Sequence, residues 1–370
     1  MRRVTLARSA TLALGAFCVA GLASAQSSAG QGPVTGSSVT LFGVADAVLG
    51  YGSGSISHRS SLYSSGNSAS RFGVRGIEDL GGGLGAGFWL ESGVTIDTGT
   101  GVAGNTNNQP NGATSADALL FNRRATVSLI DLWGELRLGR DFAAHYRNRT
   151  DVDPFDNNGV GTIQPQVGSI AGPTSTRVSN MVGYYLPPGL GGFFGEVQYF
   201  MGDNDSHLPT SDDGTGYSGR IGWGAGPFSI AVAKGRTDYL RTPTNGNITV
   251  ANVGATYDFK LVEVSAGYYR DKVDSFVPVT ATGYVLGMIV PVGGNQIKFA
   301  WSRYGTDAEG DPAAMKLSLG YVYSFSKRTV AYATYSHVNN SGGSAVGLNG
   351  AVTEPNRSAN GYDLGLRHSF

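Results

Sequence analysis

Arginines and aspartates are the side chains of this sequence whose types and spacing could do chemistry. Four arginines lie in segments of strand-like alternation, on the face that carries polar and small residues: Arg71, Arg75, Arg124 and Arg137. Three aspartates follow in a segment without a regular period: Asp151, Asp153 and Asp156. Opposed charges in a narrow wet channel create a transverse field, and rings of one sign select the ion that passes. The alternative is structural, with the arginines pairing with the aspartates and pinning that segment.

No arrangement of catalytic or metal-binding residues is found in the sequence. The histidines are scattered, with no metal-ligand spacing among them: His58, His145, His207, His337 and His368. The glycine-rich run 81–87 lacks the G-x-G-x-x-G spacing and leads into a strand pattern, which predicts a hairpin turn. No Ser-His pair on one strand face supports a hydrolase. We therefore predict a protein that is not an enzyme and that has no metal site and no cofactor.

The first 25 residues have the pattern of a cleavable signal peptide. Three arginines precede the apolar run 12–22, and the sequence ASA at 23–25 fits small-residue cleavage. Cys18, the single cysteine, lies in this segment, so the mature chain 26–370 has no thiol. Subtracting the three arginines from 27 basic residues leaves 24 against 27 acidic ones, a net charge of about −3. This balance gives no indication of nucleic-acid binding.

A long insertion interrupts the strand pattern and contains the three aspartates. It reads HYRNRTDVDPFDNNGVGTIQPQVGSIAGPTST over 145–176, with three prolines and no sustained period of two or 3.6. Ordinary connections run about 4–6 residues, and much longer structureless ones are usually functional. We predict that this loop, about 143–176 with its flanks, folds back into a barrel and narrows its pore.

Alternation of apolar and polar residues predicts about sixteen β-strands along the rest of the chain. The alternation is clearest at 315–325, 262–268 and 362–370. Charged residues make up only 15% of the chain, and no linker or change of composition divides it, so 26–370 is predicted to be one domain. After the signal, no apolar run reaches the roughly 18 residues that a membrane helix needs.

Two architectures explain such alternation. In a soluble sandwich the apolar face is the core, whereas in an outer-membrane barrel it meets lipid, and short turns at one end alternate with long loops at the other. In this sequence the connections are short after every second strand and generally longer and polar in between. Tyr and Trp also concentrate toward strand ends, as in interfacial girdles. The pattern favours an all-β, antiparallel transmembrane β-barrel.

Several motifs together resemble the general porins of Gram-negative bacteria, most closely the β-proteobacterial type. They occur in the order SVTLFGVADA, SRFGVRGIEDLGGGLGAGFWLESG, FNRRATVSL, GELRLGRDF, RVSNMVGYYLP and a terminal YDLGLRHSF. The similarity covers essentially all of the mature chain. It implies a sixteen-stranded antiparallel barrel in the cell outer membrane, with the third external loop folded inward. It also implies a homotrimer with one pore per subunit and passive diffusion of small hydrophilic solutes and ions.

The resemblance also implies roles for particular residues. Arg71 and Arg124 match residues of the basic wall of the constriction in this family. Arg75 and Arg137 are assigned to the same wall only because strand alternation predicts that their side chains face the lumen. The loop reads DPFD at 153–156 and lacks the Pro-Glu-Phe-Gly motif of the enterobacterial branch, so its acidic side is assigned by residue type. Phe370 matches the terminal Phe that the barrel-assembly machinery recognises. Outer-membrane lipid and lipopolysaccharide are the further partners implied.

The ion preference and two other functions stay open at this point. Many relatives of this branch favour anions, which the four arginines support and the net charge of about −3 mildly opposes. A substrate-specific outer-membrane channel would need a ladder of aromatics or a denser charge cluster along the lumen. A barrel acting mainly as a surface adhesin would have little conductance and would bind through its loops.

Overall fold

A computed structural model describes residues 34–105, 107–110 and 121–370. The strands of these residues form one antiparallel sheet in which the last strand pairs with the first, so the sheet closes into a barrel. The predicted signal peptide at 1–25 and part of the long Gly-, Asn- and Thr-rich connection that precedes 121 lie outside the described residues. The strands are β1 (Ser38–Ser53), β2 (His58–Ser64), β3 (Arg71–Gly81), β4 (Leu84–Gly93), β5 (Arg124–Asp131), β6 (Gly134–Phe142), β7 (Arg177–Tyr185), β8 (Phe193–Phe200), β9 (Gly216–Ala225), β10 (Phe228–Thr237), β11 (Asn247–Asp258), β12 (Glu263–Asp274), β13 (Val279–Val292), β14 (Asn295–Thr306), β15 (Ala313–Ser324), β16 (Thr329–Ser341) and β17 (Ala359–Ser369).

These strands occupy sixteen positions in the wall, because two of them share one position. β2 pairs with 47–53 of β1, and β3 pairs with 38–44 of the same strand, so the two follow one another along a single line. The segment 65–70 connects β2 to β3. Asp46 of β1 fixes its conformation, because the carboxylate of Asp46 accepts the backbone N–H groups of Asn67 and Ser68 at 2.8 and 2.6 Å. The predicted sixteen-stranded antiparallel barrel is confirmed.

Alternation along each strand separates an apolar outer face from a polar inner face. On β15 the outward Leu317, Leu319 and Tyr321 are exposed, whereas the inward Lys316 and Ser318 are buried. A soluble protein would have the opposite arrangement, so the outer face is suited to lipid. No helix among the described residues is long and apolar enough to cross a membrane.

The two ends of the barrel have different connections. At one end the hairpins close in short turns; Gly82 and Gly83, between β3 and β4, adopt φ values of 65° and 93° that glycine tolerates without steric cost. At the other end lies the connection 143–176 from β6 to β7, which we call the constriction segment. It contains α1 (Ala144–Thr150), α2 (Gln164–Val167) and a 3₁₀ turn (Gly172–Thr174).

Candidate pore constriction

The constriction segment lies inside the barrel, against inward-facing side chains of β9 to β17. Hydrogen bonds join it to successive strands: His145 N–H to Ser218 Oγ at 3.2 Å, Asn148 Nδ2 to Asn252 Oδ1 at 2.7 Å, Gln164 N–H to Ser302 Oγ at 3.0 Å, and Val160 N–H to Asp363 Oδ2 at 2.8 Å. The carbonyl oxygen of Val160 also accepts from Lys316 Nζ at 3.0 Å and from Ser336 Oγ at 2.9 Å. The segment therefore fills one side of the lumen and leaves the other side open.

Inward-facing glycines provide the space in which the constriction segment packs. A Cβ added at any of six would come closer than 3 Å to one of its side chains: Gly235 to His145 (2.6 Å), Gly254 to Val152 (2.7 Å), Gly283 to Pro165 (2.9 Å), Gly287 to Pro154 (2.5 Å), Gly320 to Phe155 (2.7 Å) and Gly361 to Val160 (2.4 Å). Glycine within a strand commonly marks such a close approach. Val152 and Phe155 form an apolar cluster there with Ile163, Tyr269 and Val285.

Burial keeps His145 at the start of α1 in the neutral form. Its ring is buried, with Nδ1 2.9 Å from Ser218 Oγ. Desolvation, together with the nearby charge of Arg149, lowers the pKa of His145 to about 3. The anchor of the constriction segment is therefore built around an uncharged imidazole at neutral pH.

Arg71 belongs to a small cluster on the open side of the lumen. Arg123 Nε donates to Glu91 Oε1 at 2.5 Å, and Arg71 Nε lies 3.9 Å from the same oxygen. Glu91 is only 1% exposed, whereas both guanidinium groups retain partial exposure to the lumen. Two cations around one carboxylate leave this cluster with one positive charge.

Arg124 and Arg137 lie in a buried ion-pair network at the base of the constriction segment. The network comprises three arginines and three carboxylates: Arg124, Arg137, Arg147, Glu135, Asp141 and Glu196. Asp141 lies at its centre and is 2.6 Å from Arg137 Nη1, 2.8 Å from Arg147 Nη2 and 3.5 Å from Arg124 Nε. The formal charges of the network balance, and Arg147 ties α1 to the wall.

Arg75 is exposed to the lumen and is positioned by aromatic rings. Its guanidinium carbon lies 4.9 Å from the ring centroid of Trp89 and 5.6 Å from that of Phe42. Within the described residues, no carboxylate oxygen lies within 4 Å of its guanidinium nitrogens. Cation–π contact orients a guanidinium without neutralising it, so Arg75 presents its full charge to the lumen.

The three aspartates of the constriction segment have different surroundings. Asp156, whose side chain is 59% exposed, lies 3.9 Å from Lys298 Nζ and also interacts electrostatically with Arg367 and Arg71. Asp151 pairs with the buried Arg220. Asp153 is buried, and its carboxylate accepts the backbone N–H groups of the loop residues 155, 157 and 163 at 2.9, 3.1 and 3.3 Å. Burial raises the pKa of Asp153 to about 6.

Several lumen cations were not identified from the sequence: Arg123, Arg147, Arg220, Lys298 and Arg367. Alternation along FNRRATVSL at 121–129 predicts Arg123 on the apolar face, opposite to Arg124, and this prediction is wrong. β5 begins at Arg124, so strand alternation does not reach the preceding residue, and its side chain turns inward to Glu91. The alternation at 362–370 does predict Arg367 on the polar face, although not as a site residue, and counting faces along β14 in the same way would have found Lys298. Arg147 and Arg220 owe their positions to contacts distant in sequence.

The fold and this site define a class of protein. A closed antiparallel barrel with an apolar outer face, a charged lumen and a segment packed inside it is a transmembrane β-barrel channel.

Comparison with known proteins gives the family. The family model described as Gram-negative porin matches residues 10–343. Outer membrane porin protein 32 of Delftia acidovorans is 32% identical over 378 residues, covering 97% of this chain and 99% of the relative. An outer membrane porin of Bordetella pertussis is 27% identical over 390 residues, covering 90% and 94%. The solved structure of an anion-selective porin from Comamonas acidovorans is 31% identical, with a TM-score of 0.80 and coverage of 90% of this chain and 100% of that one. The chain belongs to the Gram-negative porin family and forms a channel in the outer membrane.

Proposed function

We propose that this porin forms a water-filled pore for passive diffusion of small hydrophilic solutes and ions, and that it favours anions. The observation that carries the proposal is the distribution of charge at the constriction. The cluster of Arg71, Arg123 and Glu91 has one excess positive charge, and Arg75 adds another. On the opposite side, Asp156 and Asp151 each face a cation. An excess of positive charge in a narrow lumen raises the local anion concentration.

Two cations on either side of the constriction segment, Arg140 near the end of β6 and Arg177 at the start of β7, support the same preference. Arg140 donates to the carbonyl oxygen of Asn122 at 2.7 Å and to Ser179 Oγ at 2.6 Å, and Arg177 donates to the carbonyl oxygen of Arg123 at 2.9 Å. Neither has a carboxylate partner within 4 Å among the described residues. These acceptors are neutral, so both arginines keep their charge near the entrance to the constriction.

The net charge of the mature chain does not oppose this proposal, because ion choice depends on charges at the constriction. Four acidic residues lie in the connection 201–215 from β8 to β9, outside the strands of the wall: Asp203, Asp205, Asp212 and Asp213. Charges separated by more than about 10 Å are largely screened at 0.1 M salt. The name of the Comamonas relative, an anion-selective porin, agrees with the proposed preference.

We propose that the arginines at the constriction act on passing ions through their electric field and take no part in catalysis. Of the four arginines proposed for the basic side, Arg71 and Arg75 supply the excess charge, whereas Arg124 and Arg137 are balanced by carboxylates and hold the base of the constriction segment. Asp151 and Asp156 form the acidic side, and Asp153 shapes the loop. Measurement of the reversal potential in a KCl gradient tests the ion preference: a sign that corresponds to chloride supports it, and a sign that corresponds to potassium refutes it.

The remaining parts of the proposal concern processing and partners. We propose removal of 1–25 as a signal peptide, recognition of Phe370 by the barrel-assembly machinery, and assembly into homotrimers with one pore per subunit. Three exposed, outward-facing cations lie at similar heights on β10, β12 and β14, namely Lys234, Arg270 and Arg303. They lie near the tilted aromatic pair Tyr268 and Tyr284, whose ring centroids are 5.4 Å apart. Cations beside an aromatic girdle suit the phosphate groups of lipopolysaccharide. Amino-terminal sequencing of the mature protein tests the first point, with Gln26 expected as the first residue.

A further inference from the structure

A cavity of about 280 Å³ opens into the lumen below the constriction, toward the short-turn end of the barrel. It is lined by inward-facing residues of β1 and β3 to β6, among them Ser38, Thr40, Arg75, Trp89, Thr126 and Ser128. Arg75 lies four residues beyond Arg71 on β3, which is about 13 Å along an extended strand. The cavity adjoins the cluster around Glu91 through Trp89, whose Nε1 donates to Glu91 Oε2 at 3.1 Å, but Arg75 itself is not part of that cluster.

The charge of this cavity comes from Arg75. No hydrogen-bond acceptor for its guanidinium is found among the described residues, and the rings of Trp89 and Phe42 hold it in place. The other charged groups of the lining are already bound. Arg124 Nε donates to Thr126 Oγ1 at 3.1 Å and lies 3.5 Å from Asp141. A guanidinium with five donors and no acceptor is suited to a carboxylate.

The acidic member of the lining does not oppose an anion. Glu135 is 2% exposed, and its carboxylate oxygens accept from Arg137 Nε and Nη2, each at 2.8 Å, and from Ser128 Oγ at 2.7 Å. The rest of the lining combines small hydroxyl groups with the apolar side chains of Ile77 and Ile130. With one unpaired cation beside apolar side chains and hydroxyl groups, the cavity is suited to a ligand that has one negative charge and an apolar body.

We propose that this cavity is a subsite for a small organic monocarboxylate with a planar apolar body. The carboxylate binds the guanidinium of Arg75, and the body packs against the apolar lining beside Trp89, whose ring also contacts the guanidinium carbon of Arg124 at 4.4 Å. A second carboxylate would find no unpaired cation, because Arg124 is held by Asp141 and Thr126. The volume lies near the lower limit of ligand pockets, which suits a single ring. The proposal rests on the anion-favouring pore proposed above and names a class of solute for it.

Benzoate is the probe that tests this subsite in the native oligomer. In planar bilayers we expect benzoate to reduce the chloride current with a half-effective concentration on the order of millimolar. Arg75→Gln is expected to raise that concentration about tenfold, since a charge-assisted hydrogen bond is lost, and Arg75→Lys should give an intermediate value. Lys327→Gln, which removes one charge at an exposed turn, should leave it unchanged. Acetate, which has no ring, should act more weakly than benzoate.

Tryptophan fluorescence provides a readout that does not depend on conduction. Benzoate should change the emission of the folded oligomer, and Trp89→Phe should remove that change while the other three tryptophans remain. Equal benzoate effects in wild type and Arg75→Gln, or equal effects of acetate and benzoate, would overturn the subsite. A pore that prefers potassium but keeps the Arg75-dependent and Trp89-dependent signals would refute the ion preference and retain the subsite. A pore that prefers chloride but shows neither signal would support the ion preference and refute the subsite.

Discussion

Replacing Arg71 by Gln should shift the ion preference of the pore toward cations. Arg71 lies on the open side of the lumen with partial exposure, and it interacts across the lumen with Asp156. Asp156→Asn removes a charge of opposite sign from the other side and should shift the preference toward anions. The double variant should return close to wild type, because the two contributions to the field add with opposite sign.

The size of the shift follows from Coulomb's law in a wet channel. A unit charge about 6 Å from a permeating ion contributes about 0.7 kcal/mol in a medium like water. Screening reduces this value, since the Debye length is about 10 Å at 0.1 M salt. The anion and the cation respond with opposite signs, so we expect the ratio of their permeabilities to change about threefold. In a tenfold KCl gradient this moves the reversal potential by about 20 mV, below the limit of about 59 mV for perfect selectivity.

The assay is the reversal potential of purified oligomers in planar bilayers. Lys327→Gln is the matched control for Arg71→Gln, because it removes the same charge at an exposed turn, and it should shift the potential by only a few millivolts, about the effect of a screened charge. Shifts of the same sign in Arg71→Gln and Asp156→Asn would refute the proposed opposition of charges. A shift in Lys327→Gln as large as that in Arg71→Gln would show that the constriction does not set the preference.

Three further predictions concern the constriction segment and assembly. Gly320→Leu should displace Phe155 from the wall and increase open-channel noise, whereas Gly219→Leu, whose Cβ would meet only an atom at 3.6 Å, should not; equal noise would contradict the packing argument. Because the pKa of His145 is about 3 in the folded state and about 6.5 unfolded, its contribution to stability is complete above pH 6.5 and falls by about 1.4 kcal/mol per unit below it. Hydrogen exchange of α1, corrected for intrinsic rates, should therefore quicken between pH 6 and 4, and His145→Gln should lessen this pH dependence. Deleting Phe370 should lower the amount of assembled protein in cells without preventing refolding in detergent; normal assembly in cells would exclude it as a recognition signal.

The barrel could be predicted from the sequence because its signal is local. Period-two alternation and alternating connection lengths are both visible within about 20 residues of chain. β2 was missed for the same reason: HRSSLYS at 58–64 is polar on both faces and shows no alternation. The connection at 54–57, expected to be a longer loop, is short because β2 pairs directly with β1. Its strand structure comes from that pairing rather than from its own pattern.

The candidate site was less accessible to sequence reasoning, because residue type does not determine environment. The side chains of Arg75 and Arg137 both point into the lumen from their strands. Arg75 is nevertheless exposed beside Trp89, whereas Arg137 is buried between Glu135 and Asp141. Those partners come from several strands and from α1, so their convergence depends on the closed barrel. The path of the constriction segment likewise depends on glycines spread from β10 to β17.

Single-channel recording of the purified native oligomer in a KCl gradient tests the central claim most directly. We expect open channels whose conductance rises linearly with salt, closure in three equal steps, and a reversal potential whose sign corresponds to chloride. Folded protein that conducts no current would contradict the open pore, and a reversal potential whose sign corresponds to potassium would contradict the proposed role of the arginines.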